Sequence, residues 1–140
     1  HTLVQKYLLP LVEGAVKLQS NDPSGAIEVL GPAARYELTA WSPFPNLYPA
    51  YLRGLAYLQR RDGQAASAEF NKILAHPGLV GRWAIGAMTR LQLARAQHLS
   101  GNDAAALSSY EEFLSLWKDA DEDLPLYSEA KREYRRLRSQ

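Results

Sequence analysis

Apolar residues recur along this chain at helical spacing, in stretches separated by short polar turns, and the stretches repeat. From Ala50 to Leu74, AYLRGLAYLQRRDGQAASAEFNKIL, two such patterns are joined by a turn at Arg61-Asp62-Gly63. Forty residues before Gly54, Asp62, Ala66, Phe70, Ile73 and Leu74 stand Gly14, Asp22, Ala26, Leu30, Ala33 and Ala34. Forty residues after them stand Ala94, Asn102, Ala106, Tyr110, Phe113 and Leu114. Each column keeps its chemistry: small where two helices approach, Asp or Asn where a helix starts, apolar where a helix pair closes. A period of this kind predicts an all-α fold, an α-solenoid of three helical hairpins over about residues 2–37, 48–76 and 81–117, with a capping helix over about 124–138.

The punctuation agrees. Leu3, Tyr7, Leu8, Leu11, Ala15 and Leu18 mark a first helix, in which Pro10 stands where a kink or a second start is expected. Asp22-Pro23 supplies an N-cap and a proline at the first helical position, and Gly31-Pro32 ends or bends the second helix early. The stretch TAWSPFPNLYP is too rich in proline for helix or ladder, and is expected to be an ordered connector whose Trp41, Phe44 and Tyr48 plug the seam between the first two hairpins. Asp62-Gly63 and Gly101-Asn102-Asp103 start the fourth and sixth helices, and His76-Pro77-Gly78 stops the fourth. In the last helix Leu126, Ala130, Tyr134 and Leu137 share one face, as a cap over an open apolar surface requires.

Composition narrows the function. There is no cysteine, so thiolate chemistry and disulfides are excluded. Sixteen basic and fifteen acidic side chains nearly cancel, which argues against nucleic acid as the main partner, and no apolar run approaches the roughly 20 residues that span a bilayer. The opening His1-Thr2, with neither Met nor a leader pattern, is expected of a piece of a longer protein.

Gly54, Tyr57, Ala66 and Phe70 match in order the small, Tyr, Ala and aromatic positions of tetratricopeptide repeats, and Ala94, Ala106 and Tyr110 match again. The chain resembles that family, although its period is 40 where the family has about 34, and Glu13 and Arg53 stand at a position usually held by Leu. The phrases QKYLLP, LYPAYLRGLAYL, AEFNKILAHPG and SLWKDADEDLP resemble the carboxy-terminal repeat region of bacterial signalling proteins. In those proteins a eukaryotic-like Ser/Thr kinase or winged-helix domain comes first. The resemblance implies a protein-protein interaction module that takes a peptide or partner helix in a groove of A helices. It also implies an extracytoplasmic place in a membrane-anchored parent, with a cytoplasmic parent as the alternative. The groove would be lined by Leu8, Leu11 and Ala15, by Tyr48, Tyr51 and Leu55, and by Met88, Leu91 and Arg95; the competing expectation is that Tyr51, Leu55 and Leu91 are core. Self-association through the same surface, giving a homodimer, and a small-ligand sensor are the alternatives.

Other chemistry has less to stand on. His76 and His98 have no carboxylate at metal-like spacing, and Asp119, Asp121 and Asp123 start a calcium-loop pattern that Leu124 and Ala130 break. Neither a metal nor a cofactor is expected. Lys131, Arg132, Arg135, Arg136 and Arg138 are interrupted by Glu129 and Glu133 and read as a solvated helix end. No catalytic motif can be assembled, so no enzyme is expected; a polar pocket holding Arg95, His98 and a carboxylate of shifted pKa would reopen that question.

Overall fold

The computed structural model describes residues 4–37, 47–76, 84–118 and 124–140. Among them the chain is all-helical, with seven α-helices: α1 Leu9–Gln19, α2 Pro23–Leu30, α3 Tyr48–Gln59, α4 Gly63–Leu74, α5 Ala84–Leu99, α6 Asp103–Leu116 and α7 Pro125–Arg138. A π-helical turn, Val4–Leu8, leads into α1, and a 3₁₀ segment, Gly31–Tyr36, follows α2. Both changes of helix type fall at a proline. Pro10 cannot donate to the preceding turn, so the backbone enters α1 on a different register there, and Gly31-Pro32 ends α2 as its sequence requires.

The turns carry the forty-residue period into the backbone. Asn21 (φ 58°), Arg61 (φ 60°) and Gly101 (φ 82°) all adopt the left-handed conformation that closes a helix. One residue later the amides of Asp22, Asp62 and Asn102 donate to the carbonyls of Lys17, Tyr57 and Gln97 at 2.8, 2.9 and 2.9 Å. The same three side chains then cap the next helix, accepting from the amides of Gly25, Ala65 and Ala105. Each residue thus ends one helix and starts the following one, so the reversal needs no longer linker.

Each helix packs on the next in sequence from α1 to α7, and α3 also touches both α1 and α5. Close approach is set by small residues facing large ones. A Cβ on Gly54 would collide with the Phe70 ring, and one on Gly14 would meet Leu30 at 2.8 Å. Ala94 and Tyr110, the third pair of that column, are both buried. The α3 to α5 core gathers Leu47, Ala50, Tyr51, Phe70, Ile73 and Leu93; a second gathers Leu91, Ala94, Phe113, Tyr127, Ala130 and Leu137 from α5, α6 and α7. Helix α5 feeds both, which is why it lacks one clean polar face.

The seam before α3 departs from the expectation at Tyr48. Trp41 and Phe44 lie outside the described residues, while Tyr48 is 43% exposed, so it does not act as a plug. Leu47 and Pro49, on either side of it, are buried instead. The entry to α3 is also held by charge. Arg53 Nη2 lies against Glu37 Oε1 and 3.1 Å from Glu69 Oε2, and Lys72 Nζ reaches the two carboxylates at 3.7 and 3.2 Å. Arg53 and Glu37 are both buried, and Arg53 Nη1 has no hydrogen-bond partner among the described residues. The side chain that departs from the usual Leu therefore ties the segment after α2 to α3 and α4.

Candidate functional site

The residues expected to line a groove divide by burial. Leu91 is fully buried and Tyr51 is 8% exposed, its ring edge-on to Phe70 at 6.0 Å, so both belong to the core. Leu55 and Met88 are partly buried and packed against that core. Leu11 and Ala15 are half-buried on α1, where Leu8, at 40%, is exposed, as is Tyr48 at the start of α3. Because α3 and α5 each have neighbours on both flanks, apolar side chains at these positions sink between helices. Arg95 is the exception, long and charged enough to stay at the surface.

Around Arg95 the structure forms two adjoining clefts. One, between α3 and α5, is lined by Leu58, Arg61, Gln92, Arg95, His98 and Leu99. The other, of about 220 Å³ between α5, α6 and α7, is lined by Arg95, His98, Tyr110, Glu133, Arg136, Leu137 and Gln140. Arg95 and His98 belong to both. The end of α3 brings Arg61 to the first, and the last turns of α7 bring Arg136 to the second.

The wall between the clefts is a charged clamp. Arg95 Nε and Nη2 donate to the two oxygens of Glu133 at 3.0 and 2.9 Å, and Tyr110 Oη donates to Glu133 Oε2 at 2.7 Å. Glu129 stands 3.7 Å from Arg95. Burial alone would raise the Glu133 carboxyl, but the hydrogen bonds from Arg95 and Tyr110 outweigh it and hold the group below the usual carboxylate range. Tyr110 is pushed well above the ordinary phenol value, by burial first and then by its bond to Glu133. For Arg95 burial works against the charge, yet Glu133 more than offsets it and the guanidinium stays charged. His98 Nδ1 lies 2.7 Å from Asp103 Oδ1 at the surface. Arg61 and Arg136 make no ion pair among the described residues, so the face carries two cations open to a ligand.

This is the polar pocket with a shifted carboxylate that would reopen the question of catalysis. Its shifts run the wrong way for acid–base work: a carboxylate held low by a bidentate arginine is a weak base, and a phenol held high is a poor nucleophile. What the arrangement does chemically is fix α7 to α5 and α6 and present positive charge beside Leu58, Leu99 and Leu137.

Sequence reasoning singles out Arg95 but takes Glu133 only as a break in the basic run of α7. Arg95 and Tyr110 stand 38 and 23 residues from it, distances over which no periodicity could pair them. The Asp119 to Asp123 pattern and Trp83 lie outside the described residues. No described helix is long and apolar enough to cross a membrane. Comparison with family models, curated proteins and solved structures finds no match.

Proposed function

We propose that the chain is a tetratricopeptide-like array of three helical hairpins capped by α7, and that it acts as a protein-protein interaction module. The threefold recurrence of left-handed residue, backbone bond and side-chain cap at a spacing of forty supports the architecture. The function rests on one observation: two clefts share Arg95 and His98 and run together across the faces of α3, α5 and α7. A surface of that form suits an extended segment or a partner helix better than a compact metabolite.

The chemistry of the lining selects the ligand. With Arg95 neutralised by Glu133, the cations left without an ion pair among the described residues are Arg61 and Arg136, and the apolar contacts come from Leu58 and Leu99. The segment that fits carries acidic residues spaced by apolar ones. The test is fluorescence anisotropy with a labelled peptide of alternating Glu and Leu. Arg61→Glu with Arg136→Glu, both at exposed positions, is expected to weaken binding at least tenfold while helical content by circular dichroism is kept, since each reversal turns an attraction into a repulsion. Binding that is unchanged in this variant, or absent from the wild-type chain, would remove the groove from the reading.

A further inference from the structure

Beside the two clefts at Arg95 lies a third of different chemistry, between α4 and the end of α5. Its volume is about 730 Å³, far more than an ion or a single water fills. On one wall α4 presents Gln64, Ser67 and Asn71, at helical intervals of three and four; on the other stand Gln97 from α5 and Ser100 and Asn102 from the turn into α6. Gly63 lines it too, and a Cβ there would meet the Ala96 carbonyl at 2.5 Å, so the first turn of α4 lies directly on the end of α5. Arg61 and Leu99 line both this cleft and the one between α3 and α5. Asn71, Ser67, Gln64 and Arg61 therefore trace a polar path that leads back along α4 into the peptide face.

The lining suits a main chain better than any particular side chain. Among the described residues that line it, Arg61 and Asp62 are the only charges, and they cancel, so the preference for acids does not continue here. These residues include no aromatic ring for a base to stack on, and Leu99 is their one large apolar side chain, so a hydrophobic anchor gains little. What the cleft offers is amides. Gln97 Oε1 accepts from Ser109 Oγ at 2.7 Å and Asn102 Oδ1 from the Ala105 amide at 3.3 Å, which leaves the NH2 group of each as a donor. Gln64 and Asn71 are exposed and make no side-chain hydrogen bond among the described residues, so each keeps both its donor and its acceptor. A side-chain amide with both free can pair with the C=O and N–H of an extended chain, as a neighbouring strand does. Gln64 and Asn71 lie about 10 Å apart along α4, the rise of about three extended residues.

We propose that this cleft extends the peptide groove and holds about four further residues of the ligand by their main chain, whatever their side chains. The ligand then has two parts: an acidic and apolar stretch against Arg61 and Arg136, and a neighbouring stretch recognised only through its backbone. The proposal rests on the reading of the chain as a peptide-binding module, and adds to it the length of the segment bound and a region where its sequence is free.

Fluorescence anisotropy tests it, with a short labelled peptide of alternating Glu and Leu set against the same peptide extended by about four alanines at its amino end or at its carboxyl end. One extension is expected to tighten binding about tenfold, the net effect of a few hydrogen bonds, and the other to change it little, since only one end of the ligand reaches the third cleft. Serines in place of the alanines should keep the gain. N-methylation of the added amides, which removes the main-chain donors, should abolish it. Gln64→Ala with Asn71→Ala should also abolish the gain while leaving helical content and the affinity for the unextended peptide unchanged, because neither residue lines the other two clefts. A chain that binds the unextended peptide but gains from neither extension overturns this proposal and leaves the groove standing. So does a gain that survives N-methylation or the double variant. A chain that binds none of the peptides removes both.

Discussion

Arg53 and Arg95 do similar work in different surroundings. Each holds two carboxylates from elsewhere in the chain: Arg53 takes Glu37 from the segment after α2 and Glu69 from α4, and Arg95 takes both Glu133 and Glu129 from α7. The Arg53 side chain is 8% exposed and Glu37 5%, whereas Arg95 is 26% and Glu133 30% exposed. A buried pair gains strong Coulomb attraction but has given up its hydration, so removing one member strands the other. A half-exposed pair can be rehydrated. The two clamps therefore differ less in how much they stabilise the fold than in what their loss would cost.

The largest effect is expected at the buried clamp. Arg53→Met leaves Glu37 and Glu69 with only Lys72 for a counter-ion and should destabilise the chain by about 3–5 kcal/mol in denaturant unfolding. Replacing Arg53, Glu37 and Glu69 together by Met should recover most of that loss, since Arg53 Nη1 already lacks a partner among the described residues and the set is incompletely satisfied. A loss under about 1 kcal/mol for Arg53→Met, the range of an exposed pair, would erase the distinction between the clamps.

At the exposed clamp the effect is smaller and depends on pH. Glu133 is held below its ordinary value of 4.5, so its contribution is present above about pH 4.5 and is lost as pH falls through the lower folded value. Acidification across that window should release α7 first, seen as faster amide exchange in Pro125–Arg138 than in α4. Glu133→Gln should cost about 1 kcal/mol near neutral pH and nothing in strong acid. An α7 that exchanges no faster than α4 at acid pH would show that its apolar face, Tyr127, Ala130 and Leu137, holds it without the clamp.

The smallest effect has the opposite sign. Arg61 is left-handed where Gly101 occupies the matching turn, so Arg61→Gly should stabilise by about 1 kcal/mol, read as a rise of roughly 2–4 °C in Tm. The same change removes a cation from the cleft between α3 and α5 and should weaken binding of the acidic peptide. Weaker binding together with the higher Tm would show that Arg at this strained position trades stability for its charge; unchanged binding would break the link.

Much of the helical order is legible in the sequence because its causes are local. Asp22, Asp62 and Asn102 announce their helices within three residues, and Pro10 and Gly31-Pro32 mark changes of helix type that follow from a missing N–H and a fixed φ. Gly14 and Leu30, or Gly54 and Phe70, can be matched because the repeat aligns them. The site is less legible. Helical periodicity shows that Tyr51 and Leu91 share a face with other groove candidates, but not that the neighbouring helices close over that face. In sequence Glu37 is the edge of a connector and Glu133 a charge in a solvated run, since a carboxylate paired across more than fifteen residues looks there like any other.

The three turns have a kinetic consequence. Their closing bonds span five residues, from Asp22 to Lys17, Asp62 to Tyr57 and Asn102 to Gln97, and each cap spans three. Reversals made from such near neighbours can assemble independently, without first closing a long loop of chain. During synthesis the first helix pair can therefore be complete while the third is still inside the ribosome. The two charged clamps, the apolar seams and side-chain bonds such as Gln59 Nε2 to the Leu18 carbonyl wait for the helices that follow.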